Sequence, residues 1–68
     1  MTDAGKRWFK VEIKNKETGE VYFELPVQAL MTNGAGEEAD RIIQLVPMYK
    51  DFLESVDGYT TGRVQQLN

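Results

Sequence analysis

Trp8-Phe9-Lys10-Val11-Glu12-Ile13-Lys14 alternates apolar and polar residues, and Glu20-Val21-Tyr22-Phe23-Glu24-Leu25 repeats the alternation. A period of two is that of a strand with one buried face. Phe9, Val11 and Ile13 share a face of the first run, and Val21, Phe23 and Leu25 share the matching face of the second. Between them, Asn15-Lys16-Glu17-Thr18-Gly19 supplies turn formers and a glycine suited to positive φ. The expectation is an antiparallel hairpin. An apolar inner face pairs Ile13 with Val21, Val11 with Phe23 and Phe9 with Leu25. The same register sets Lys14 opposite Glu20, Lys10 opposite Glu24, Glu12 opposite Tyr22 and Trp8 opposite Pro26. Two opposite-charge pairs support it, since a slip of one residue would turn every apolar side chain outward.

Beyond the hairpin, Pro26 is expected to end the strand and open a short helix over residues 27–32, stopped at Asn33-Gly34. Gly34-Ala35-Gly36 reads as a flexible joint. Glu37, Glu38 and Asp40 place negative charge where a second helix would begin. Along that helix Ala39, Ile42, Ile43, Val46, Tyr49, Leu53 and Val56 recur at steps of three and four, one buried stripe. Pro47 lacks a backbone donor and crowds the preceding turn, so the segment is expected to divide or kink sharply there. A rival reading makes β-branched residues 41–46 a third strand ending before the proline. Asp57-Gly58 closes the helical part. Residues 1–5 and about 59–68 read as loose tails, the rival being that Tyr59 or Arg63-Val64-Gln65 lies as a strand beside the hairpin. The fold class expected is α+β in the order ββαα: a hairpin packed on two or three short helices in a single small domain over residues 1–68.

Composition bounds the function. With 68 residues there is room for one small core, and 41% hydrophobic with 28% charged residues is ordinary for a folded protein. The absence of cysteine argues against a disulfide-stapled secreted scaffold, and Met1 to Arg7 lacks the apolar run of a signal peptide. A cytoplasmic setting without membrane insertion is the expectation. The net charge of −3 is unevenly spread. Residues 1–16 carry five bases against two acids, and the remainder three bases against nine acids. Facing halves would cancel much of this.

Chemistry is limited by what is missing. Without histidine or cysteine the chain lacks the usual base near neutral pH, a thiolate nucleophile and the common zinc ligands. Its carboxylates lie on polar strand faces or at a helix start, where solvation explains them, and Glu37 and Glu38 would repel a phosphate from an anion nest at Asn33-Gly34-Ala35-Gly36. No enzymatic activity, cofactor or metal is expected. The unusual feature is the outer hairpin face, where Trp8 and Tyr22 project among Lys10, Glu12, Lys14 and Glu24. Aromatic residues within a polar rim are frequent anchors of protein contacts. The expectation is a small regulatory or accessory protein, inhibitor-like in occupying a protein partner's surface through this face or through an open edge at residues 8–14. One alternative is single-stranded nucleic-acid binding by the same aromatics and lysines, opposed by three glutamates and the acidic remainder. A second is self-association, which would add burial to a small core.

Overall fold

The alternation of Phe9, Val11 and Ile13 sets the architecture. In a computed structural model that describes residues 5–67, strand β1 (Arg7–Asn15) lies at the centre of a three-stranded antiparallel sheet. Strand β2 (Val21–Ala29) flanks it on one side and strand β3 (Tyr59–Gln66) on the other. Helices α1 (Thr32–Leu45) and α2 (Pro47–Glu54) connect β2 to β3, so the chain crosses β1 and the element order is ββααβ, an α+β fold. Phe9, Val11, Ile13, Leu25, Val27 and Ala29 from the sheet meet Ala35, Ala39, Ile43 and Leu53 from the helices in one apolar core. Both helices thus cover the same face.

The hairpin register is offset by two residues from the expected one. Ile13 faces Phe23, Val11 faces Leu25 and Phe9 faces Val27. An even shift leaves the inner face apolar and lets β2 run through Pro26 to bury Val27 and Ala29. Pro26 is tolerated because β2 is an edge strand, where a missing donor need not break a ladder. The expected short helix over residues 27–32 is therefore replaced by strand to Ala29, a bend at Leu30 and Met31 and the start of α1 at Thr32, and Lys14, Glu12 and Trp8 face Val21, Glu24 and Gln28. Lys10 and Glu24 still form an ion pair at 3.5 Å, on the diagonal and not directly across.

Asn15 fixes the turn. Its Oδ1 accepts from the amides of Glu17 at 2.7 Å and Thr18 at 2.8 Å, its carbonyl accepts from Gly19 at 2.9 Å, and Gly19 takes φ 81°. Each side of β1 also carries a bulge. Ile13 faces Phe23 while Lys14 faces Val21, which leaves Tyr22 as the extra residue of β2. Val11 faces Val64 while Ile13 faces Thr61, so Gly62 and Arg63 together oppose Glu12.

Asn33-Gly34-Ala35-Gly36 is not a joint but the opening of α1. Two glycines disfavour a helix by about 1 kcal/mol each. Burial offsets this: Ala35 and Ala39 are fully buried against the sheet, while a Cβ on Gly34 or Gly36 would make only ordinary contact, 3.7 Å from Ala29 Cβ or Thr61 Oγ1. Glu37, Glu38 and Asp40 consequently sit beyond the first turn, which contains no acid. Residues 41–46 are not a strand; α1 runs through Leu45 and stops where Val46 turns extended ahead of Pro47, the first residue of α2. All seven residues of the Ala39 to Val56 stripe are buried or half-buried.

The tail read as loose forms β3 from residue 59 to 66, occupying the edge of β1 that the hairpin leaves open. Residues 1–4 and 68 of the expected tails lie outside the described residues. β1 is paired on both sides, so residues 8–14 do not supply a free edge.

Ile13 is fully buried between both neighbouring strands. Ile13→Ala should cost about 2–5 kcal/mol in denaturant melts, against a total stability of roughly 3–10 kcal/mol for a domain of this size. Glycine substitutions should differ in sign. Gly58 has φ 110°, so Gly58→Ala should destabilise by more than about 1 kcal/mol, whereas Gly36→Ala, with only ordinary contact to Thr61, should stabilise by about 0.5–1 kcal/mol.

Candidate functional site

The outer face of the sheet carries five of the six residues that the sequence points to. Trp8, Lys10, Glu12 and Lys14 alternate with the buried residues of β1, and Glu24 lies across from Glu12 on β2. Trp8 is 43% exposed and lies at one end of this face, where its carbonyl accepts from the amide of Leu67 at 2.9 Å. Glu12 Oε1 accepts from the Arg63 amide at 3.2 Å. Glycine at position 62 makes room for these side chains, since a Cβ there would come within 3.0 Å of both Glu12 Oε1 and the Lys14 chain. The face is therefore mixed in charge, with Lys10 held by Glu24 and with Glu12 and Glu24 side by side.

Tyr22 is not part of it. As the extra residue of a bulge it turns to the helical side, where its ring meets Phe52 edge-on at 5.5 Å. Its hydroxyl accepts from Asn15 Nδ2 at 2.8 Å and donates to the Gly58 carbonyl at 3.4 Å, tying the hairpin turn to the start of β3. Phe23 stacks on Tyr49 at 5.2 Å and meets Phe52 at 5.9 Å. Four rings thus join the first half of β2 to α2.

Around these rings the molecule exposes large apolar side chains. Phe52 is 42% exposed and Val21 45%, while Met48 and Leu45 reach 67% and 72%. Met48 and Phe52, four residues apart, share a face of α2, and Leu45 stands just before the break at Pro47. Leu45, Met48 and Phe52 are the apolar residues of 45–52 that fall outside the buried stripe, a signal that the periodicity of the sequence already contained. Placing Tyr22 beside them required the bulge.

A separate open groove runs between α1 and β3, lined by Asn33, Gly36, Glu37, Asp40 and Tyr59 to Thr61. The Tyr59 hydroxyl donates to Asp40 Oδ1 at 2.5 Å and accepts from Gln44 Nε2 at 3.5 Å. Burial, and after it the hydrogen bond to Asp40, push the Tyr59 phenol above its ordinary 10.0. Buried side chains among the described residues are all apolar, and no group of three His, Cys, Asp or Glu among them stands close enough to hold a metal ion. Among the described residues no helix is long and apolar enough to cross a membrane.

No protein-family model matches the chain, and comparison with curated proteins and with solved structures likewise finds no match.

A raised tyrosine pKa means that the fold favours the neutral phenol. The stabilisation that follows should be complete below pH 10.0, the unfolded value, and should be lost as pH rises through the higher folded value. Tyrosinate absorbance, with Tyr59→Phe as the reference, should show Tyr59 ionising above 10.0. Asp40→Ala should move it part of the way back, because burial, the larger cause, remains.

Proposed function

We propose that the protein is a non-catalytic binding module that occupies the surface of a protein partner, with the outward side of α2 as its contact. The observation that carries this is the exposure of Leu45 and Met48 beside a four-ring cluster whose own Phe52 is 42% exposed. A folded chain has no internal reason to present three large apolar side chains on adjoining turns, and contiguous patches of this kind mark interaction sites. Methionine and aromatic residues suit such a contact, because one adapts its shape and the other offers area at low entropic cost. Phe52 is anchored by Tyr22 and Phe23, so it is presented rigidly, as an interface anchor should be.

The outer sheet face supports a second reading through one feature, the exposed Trp8 near Lys10. Stacking of single-stranded nucleic acid there is opposed by Glu12 and Glu24, which stand together on the same face.

Capture from the lysate of its own cells separates the two. Leu45→Glu/Met48→Glu should lose a protein that the wild type retains, should keep the wild-type circular dichroism because both positions are exposed, and should be matched by no loss in Trp8→Ala or after nuclease. Loss in Trp8→Ala or on nuclease treatment, with retention by Leu45→Glu/Met48→Glu, would transfer the contact to the sheet face.

A further inference from the structure

The helical side of the molecule is strongly acidic. The stretch 32–57, both helices and the turn after them, carries six acids against two bases. Of the two bases, Arg41 is held by Glu38 at 3.7 Å, and Lys50 lies toward α1 and β3, in a cleft with Ile43, Glu54 and Tyr59. Acids border the exposed apolar residues. Asp51 comes one turn after Met48 and immediately before Phe52, and Glu20 immediately precedes Val21. Both are exposed, and neither makes an ion pair among the described residues. Lys16, the base of the hairpin turn, lies along Gly58, its chain 3.5 Å from where a Cβ there would stand.

This charge discriminates among occupants of the α2 surface. A second copy docked through the same patch would set one acidic rim against another, because an isologous contact uses the same residues on both sides. Nucleic acid and anionic lipid meet the same repulsion, since both present phosphate. The outer face of the sheet is mixed by comparison, with Lys10, Lys14 and Arg63 standing among Glu12 and Glu24. A field of one sign over an apolar patch selects and orients a partner of the other sign. Met48 and Phe52, four residues apart on α2, offer the spacing at which a second helix lays its own apolar ridge.

Resting on the reading of α2 as the contact, we infer that the partner presents a cationic amphipathic helix. Its apolar side chains cover Leu45, Met48 and Phe52, and its lysines or arginines meet Asp51 and Glu20 at the border of the patch.

Calorimetry of the full chain with synthetic helices tests this: an amphipathic leucine–lysine peptide, its twin with glutamate at every lysine, and a scramble of the first without an apolar face. Wild type should bind the leucine–lysine helix at least about tenfold more tightly than either of the others, and less tightly as salt rises. Leu45→Ser/Met48→Ser should weaken that binding by about tenfold, and Glu20→Lys/Asp51→Lys by a similar factor with a flatter salt dependence. All four positions are exposed, so both variants should keep the wild-type circular dichroism. Equal affinity for the lysine and glutamate helices, lost in Leu45→Ser/Met48→Ser, would overturn the cationic preference and leave the α2 contact standing. Binding of the lysine helix that is unchanged in Leu45→Ser/Met48→Ser would overturn the contact itself. A wild type that ignores the lysine helix at low salt overturns the inference, as does a dimer in light scattering that Leu45→Ser/Met48→Ser dissociates, which would make a second copy the occupant.

Discussion

Pairing of β1 on both sides is the constraint from which the rest of the molecule follows. Phe9, Val11 and Ile13 each have a cross-strand neighbour to left and right: Val27 and Gln66, Leu25 and Val64, Phe23 and Thr61. Their exposures of 2%, 0% and 0% show how fully two strands and a helical layer enclose them. A strand repeats every two residues, so three apolar residues in alternation commit the opposite face of β1 to water and leave it polar. The position of the helices is settled by the same alternation.

The bulges redistribute side chains within this frame. On the β2 side the extra residue rotates Tyr22 from the solvent face to the helical one, where it meets Phe52 and bridges the hairpin turn to Gly58. On the β3 side Gly62 and Arg63 share one partner, and the absence of a side chain at Gly62 admits Glu12 and Lys14 over the strand. Bulges often re-aim a side chain near a functional surface. Here one of them assembles the ring cluster on which Met48 and Phe52 are displayed.

The start of α1 shows packing overriding local preference. Asn33-Gly34-Ala35-Gly36 has the composition of a turn, yet it is helical because this places Ala35 in the core one turn before Ala39. Backbone propensity is worth about 1 kcal/mol per glycine, and burial of Ala35 and Ala39 against the sheet outweighs it. Extending the apolar spacing of Ile43 and Ala39 back by four residues to Ala35 is the one sign of this in the sequence.

Periodicity alone carried the inner face of β1, the phase of β2 from Phe23 onward, the stripe from Ala39 to Val56 and the break at Pro47, whereas Val21, expected on the inner face, stands opposite Lys14 and is 45% exposed. The features that periodicity carried depend on spacing along a single element, and a period of two or of three to four survives whatever the neighbours are. The sequence also singled out Trp8, Lys10, Glu12, Lys14 and Glu24 as one polar face. Packing between elements settled the two-residue register offset, the passage of β2 through Pro26, the helical state of residues 33–36, the recruitment of residues 59–66 as β3 and the sides on which Val21 and Tyr22 lie. Each of these depends on contacts between residues far apart in the chain, where a shift of two preserves every local pattern and the choice falls to the arrangement that buries Val27 and Ala29 and pairs both edges of β1.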